Sequence, residues 1–122
     1  MQNPIKPFVE VSKNILGKPE TLGFPEEREE LTDNYRGLHR LDMKTCISCA
    51  ACERICPNQT IEMVETDTDK GVKKMPQINW ERCLFCALCE EVCPTECLIL
   101  TKDYSFEAYD RREFLKRPED LG

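Results

Sequence analysis

The sequence predicts a small α+β fold made of a tandem βαβ-like repeat with an arm at each end. Three observations predict it. Two blocks, CISCAACERICP (46–57) and CLFCALCEEVCP (83–94), share one spacing of four cysteines and a proline. Each block lies between short apolar segments of strand character. Polar or amphipathic stretches extend beyond both ends of the duplicated part.

The repeat is explicit. Moving the first block by 37 positions carries Cys46, Cys49, Cys52, Cys56 and Pro57 onto Cys83, Cys86, Cys89, Cys93 and Pro94. The apolar frame moves with it: Leu41 onto Ile78, Ile47 onto Leu84, Ile55 onto Val92, Ile61 onto Leu98, Met63 onto Leu100. LHRLDM and MPQINW, ahead of the blocks, read as short extended pieces, and TIEMVE and CLILTK, behind them, as strands. Each half is therefore strand, loop, one short helical turn, strand. Between the halves, Asp69, Lys70 and Gly71 suit a β-turn whose charges keep it in water. The expected boundaries are 1–37 for an N-terminal amphipathic helix and linker arm, 38–102 for the duplicated domain and 103–122 for a C-terminal docking arm.

Composition narrows the chemistry. The 122 residues include nine cysteines, five glycines and few aromatics, and 33% are charged, so an aliphatic core is thin. A metal centre or disulfides must supply what it lacks. The N-terminal QNPIKPF is unlike a secretory leader, and no run approaches the ~18 apolar residues of a spanning helix. The expectation is a chain on the cytoplasmic side, where thiols stay reduced and clustered cysteines mean metal or redox chemistry. The net charge of −6 speaks against nucleic acid as a partner.

The spacing selects the metal. A Cys-x-x-Cys-x-x-Cys loop wraps a compact inorganic cube with three thiolates and is too short to place a fourth. Cys56 and Cys93 each precede proline, which pushes them towards extended backbone and away from their own loop. In the bacterial two-cluster ferredoxin arrangement the fourth cysteine ligates the other cluster. One [4Fe–4S] cluster is thus assigned to Cys46, Cys49, Cys52 and Cys93, and the other to Cys83, Cys86, Cys89 and Cys56. Ala50 and Ala87 let the backbone approach closely, and Ile47, Ile55, Leu84, Phe85, Val92 and Leu98 are expected to form a dry shell. Structural zinc is the alternative, but a third cysteine at the same interval has no tetrahedral role. Two clusters at about −2 each bring the loaded protein to roughly −10, which favours low potentials.

Cys97 falls on Thr60 under the repeat and reads as a small buried apolar residue. His39 reads as a surface or strand histidine. Neither a phosphate loop nor a nucleophile–base pair is present, so the chain is read as a carrier of electrons without a catalytic residue of its own.

The arms follow. Ile5, Phe8, Val9, Ser12, Ile15 and Leu16 share one helical face opposite Lys6, Glu10, Lys13 and Asn14. Pro7 suits the first turn, and Gly17 with Pro19 ends the helix. This helix is expected to dock on membrane subunits or the bilayer surface. The glutamate-rich stretch at 23–33 reads as a linker. Behind the repeat, Tyr104, Phe106, Tyr109, Phe114 and Leu115 sit on a charged background, and Asp110 with Glu113 suits the cap of a short helix ending before Pro118.

Across about 23–109, notably YRGLHRL (35–41) and ERCLFCALC (81–89), the sequence resembles the two-[4Fe–4S] subunit of respiratory complex I. It is similar also to the matching subunit of the related membrane-bound hydrogenases and sulfane reductases. The resemblance implies that the eight block cysteines are ligands and that the chain passes electrons to a catalytic small subunit. Its implied partners are that subunit, the large subunit and ion-pumping membrane subunits, with the chain peripheral to the membrane on its cytoplasmic face. The short arms, and Cys97 where alanine is common, tilt the reading towards the hydrogenase or sulfane-reductase type. A soluble ferredoxin is then the donor in place of an NADH module. A free two-cluster ferredoxin and a zinc-stabilised interaction module are the competing readings.

Overall fold

A computed structural model describes residues 4–68 and 71–122. It divides into two compact units, Met1–Leu31 and Thr32–Gly122. In the first unit α1 (Lys6–Ile15) starts with a proline in its opening turn, where no amide hydrogen bond is lost. It ends as the amides of Leu16 and Gly17 bond back to the carbonyls of Lys13 and Asn14. None of its residues is buried, and Phe8 and Ile15 are 74% and 78% exposed. The helix lies where the apolar spacing put it, with its apolar stripe open to solvent.

The second unit runs β1 (His39–Leu41), α2 (Ala51–Ile55), β2 (Ile61–Thr68), β3 (Gly71–Asn79), α3 (Leu88–Glu91), β4 (Leu98–Leu100) and β5 (Leu115–Lys116). Strands pair between the halves. β1 lies antiparallel to β4 with Leu41 opposite Leu98, and β2 lies antiparallel to β3 with Ile61 opposite Ile78. Those four residues are two pairs exchanged by the repeat, so the register itself obeys the pseudo-twofold. Glu53 accepts from the amide of Met63 at 3.3 Å, and its repeat partner Glu90 accepts from the amide of Leu100 at 3.1 Å. Each helical turn is thereby tied to the strand that follows it.

The hairpin β2–β3 runs further than TIEMVE and MPQINW suggested, reaching Thr68 and starting again at Gly71. The expected turn residues Asp69 and Lys70 lie outside the described residues. Gly71 has φ +106, a conformation that favours glycine. Pro76 sits inside β3 without damage. Its cross-strand partner Met63 sends its N–H to Glu53, so this is a position where no ladder bond needs a proline amide.

The core is small. Leu41, Ile61, Met75, Ile78 and Leu98 fill the space between the two sheets, and Cys46, Cys89 and Cys97 are part of it. Residues 103–122, read from the sequence as an arm, pack onto this same unit. Asp110 accepts from the amide of Arg112 and caps a 3-10 turn at Arg111–Phe114. β5 then adds to β3, placing Lys116 opposite Ile78, and a final turn at Pro118–Leu121 buries Pro118 and Leu121. Phe106 packs edge-on against Trp80 and Phe114. Tyr109 stays fully exposed.

Candidate metal centres

Both cysteine loops hold the same unusual backbone. Ser48, Ala50 and Gln59 have φ of 58, 55 and 50, and their repeat partners Phe85, Ala87 and Glu96 have 48, 67 and 49. The left-handed region costs a non-glycine residue roughly 1–2 kcal/mol. Six such residues, paired one for one, persist because the loops must turn the chain inward twice within a few residues. Ala50 and Ala87 stand directly before α2 and α3, so each helical turn starts on a left-handed residue.

Two cavities result, one against each cysteine loop. The first is lined by Cys83, Cys86 and Cys89 together with Cys56 from the other half. The second is lined by Cys46, Cys49 and Cys52 together with Cys93, and also by Cys97. Cys56 has extended backbone, φ −65 and ψ 113, as the following proline requires. The eight sequence-predicted ligands are thus brought together in two crossed sets.

These sets fit a polynuclear iron–sulfur group. Their donors are all thiols, the ligands such clusters take. Among the described residues, no three His, Cys, Asp or Glu side chains gather closely enough to hold a single metal ion. Four thiols nevertheless surround each cavity, so they are spaced around a volume.

Electrostatics distinguishes the thiols by their place in the loop. Burial pushes the third cysteine of each loop up, Cys52 to about 11 and Cys89 to about 12, and raises Cys83 as well. These protons leave when iron binds. The crossing cysteines behave oppositely. Burial alone would raise Cys56, but the Thr60 hydroxyl and the N–H groups of Thr60, Asn58 and Gln59 outweigh it and lower the thiol. Burial likewise opposes the lowering of Cys93, yet the amides of Thr95 and Leu98, the Cys97 thiol and the Thr95 hydroxyl bring it to about 7.

The dry shell differs from the expected one. Leu98 is buried and Phe85 packs on the core, but Ile47 and Leu84 are 59% and 65% exposed, and Ile55 and Val92 are also open. Ile47 and Leu84 border the cavities yet keep much of their surface in solvent. Leu98 lines one cavity as expected, and Ile61, Met63 and Pro76, also from strands, add apolar lining.

His39 lies in strand β1, one of the two places the sequence allowed it, and is buried there and not at the surface. It is 5% exposed, and its Nε2 lies 4.0 Å from Cys83 Sγ. Burial holds its imidazole down to about 4. The signal was present: His39 and Leu41 are two apart in a strand and so share a face.

The description "4Fe-4S dicluster domain" matches residues 45–97. The chain is 39% identical over 115 residues to NADH-quinone oxidoreductase subunit I 1 of Geobacter sulfurreducens, covering 89% of this chain and 87% of that one. It is 42% identical over 109 residues to NADH-quinone oxidoreductase subunit I of Campylobacter hominis, spanning 54% of that protein. Among solved structures it is similar to a chain of the membrane-bound sulfane sulfur reductase, described as an archaeal respiratory membrane complex. That match has a TM-score of 0.64 and 36% identity, and it covers 93% of this chain and 60% of the other.

Proposed function

This chain belongs to the NADH-quinone oxidoreductase subunit I family, and from that premise we propose that it is the two-cluster electron relay of a membrane-bound, ion-pumping complex related to complex I. Cys46, Cys49, Cys52 and Cys93 hold one [4Fe–4S] cluster, and Cys83, Cys86, Cys89 and Cys56 hold the other. The observation that carries this reading is the crossed lining of the two cavities, three thiols from one half and one from its twin. When bound, each cluster supplies a site for one electron. The residues of the chain fix both cavities in one rigid unit, because each set of thiols needs both halves. Buried strand residues keep water from one side of each cavity, and the low-lying thiols of Cys56 and Cys93 give up their protons most readily.

The donor is a soluble ferredoxin and the acceptor the catalytic small subunit of a sulfane-reductase or hydrogenase type of complex. The likeness to the sulfane sulfur reductase chain supports this choice. The chain sits peripherally on the cytoplasmic face. Among the described residues no helix is long and apolar enough to cross a membrane, and α1 offers an exposed apolar stripe for docking.

Anaerobic purification from the native membrane fraction tests the proposal. The chain is expected in a large complex, with about eight irons and eight sulfides per copy, and reduced by ferredoxin faster than by NADH. Recovery only as a free monomer would refute the subunit role, and two zincs without sulfide would refute the clusters.

A further inference from the structure

Positions 60 and 97 are the same place in the two halves, and both side chains touch the crossing cysteine of their own half. Thr60 Oγ1 lies 3.2 Å from Cys56 Sγ, and the Thr60 amide donates to the same sulfur at 3.4 Å. Cys97 Sγ lies 3.4 Å from Cys93 Sγ. Thr60 and Cys97 are only 4% and 6% exposed, so water does not compete for these contacts. Each follows a left-handed residue, Gln59 or Glu96, which folds the chain back over the crossing sulfur.

We propose that Thr60 and Cys97 are matched hydrogen-bond donors to the two crossing ligands, each setting the reduction potential of the one cluster its sulfur holds. The inference rests on the two-cluster reading above. A thiolate ligand has no proton and can only accept, so Thr60 must donate O–H and Cys97 must donate S–H. An added electron puts negative charge on the ligand sulfurs and strengthens such a bond, which stabilises the reduced form. A purely packing role would be served by valine at 60 and alanine at 97. At this pair of positions the repeat changes the kind of donor, a stronger hydroxyl in one half and a weaker thiol in the other. Cys93 has a second, longer contact, the Thr95 hydroxyl at 3.7 Å, and position 58 offers Cys56 no hydroxyl counterpart. The two donors therefore tune the clusters separately.

The test is a dye-mediated redox titration of the anaerobic, fully loaded chain, followed by EPR, with iron counted in every variant. T60V is expected to lower one midpoint about tenfold in its reduction equilibrium, 59 mV for one electron, and to leave the other unmoved. C97A should lower the other midpoint by a smaller factor, C97T should raise it, and T60S should restore the wild-type value at position 60. Iron should stay at the wild-type count throughout. Unmoved midpoints in T60V and C97A, or both midpoints moving together in either variant, would overturn the inference and leave the relay intact. Loss of half the iron in C97A would overturn it by making Cys97 a ligand. If T60V loads poorly, T60A against T60S reads the same midpoint. A wild-type chain with only one cluster's iron would overturn this inference and the relay reading together.

Discussion

Replacing Gly37 with alanine puts a methyl group into backbone that cannot yield. The added carbon would collide with the Asp103 carbonyl and lie 2.6 Å from that of Thr101. Those two oxygens are already used. The Gly37 amide donates to Thr101 O at 2.8 Å, the Leu38 amide to Asp103 O at 2.7 Å, and the Thr101 amide returns a bond to Leu38 O at 2.8 Å. Relief requires the 101–103 backbone to move away, which breaks two inter-segment hydrogen bonds at about 1 kcal/mol each. A carbonyl left partly unpaired beside the buried Gly37 adds about 1–2 kcal/mol, for a total of roughly 3–4 kcal/mol. In a domain of this size that is a fall of roughly 12–30 °C in apparent melting temperature. Anaerobic thermal unfolding of the loaded chain, followed by far-UV circular dichroism, measures it. Gly17→Ala is the control, since the nearest atom to its added carbon is 3.5 Å away. A G37A chain melting within about 3 °C of wild type would refute the steric reasoning.

Three further outcomes are expected. Ala87→Val forces a β-branched side chain onto φ 67. It should cost about 1–3 kcal/mol and speed iron loss from the cavity lined by Cys83, Cys86 and Cys89, read as the rate of chelator uptake. Leu121→Ala removes a side chain that is 2% exposed in the core. It should destabilise by about 2–5 kcal/mol in anaerobic urea unfolding, whereas an arm that merely dangled would give no change. Phe8→Asp, on a helix with no buried residue, should leave that midpoint within about 0.5 kcal/mol and lower the share of the chain found with membranes. An unchanged membrane share would remove α1 from the docking surface.

Much of the fold was legible in the sequence because a duplication reports its own equivalences. The alignment of Leu41 with Ile78 and Ile61 with Leu98 marked them as equivalent apolar positions before any register was known. It could not show that β1 pairs with β4 and β2 with β3, since a repeat says which residues are equivalent and not which are neighbours. The cysteine spacing, with a proline after each fourth thiol, named the residues that line both cavities. The shell was harder to read. Ile47 and Leu84 border the cavities but stay largely exposed, and no periodicity exists over three residues to reveal how much of each is covered. His39 was left open between surface and strand because a lone histidine carries no pattern, and only its spacing from Leu41 marked the buried face. Gly37 gave no sign of its role, because the carbonyls that exclude a side chain belong to residues more than sixty positions away.

The central claim is that each half of the chain lends one thiolate to the cluster of the other. Cluster-resolved EPR of reduced Cys56→Ala and Cys93→Ala, with iron counted in both, tests it most directly. Cys56→Ala should damage the cluster held by Cys83, Cys86 and Cys89, and Cys93→Ala the one held by Cys46, Cys49 and Cys52. If each variant instead lost the cluster of its own loop, the crossed ligation would be wrong.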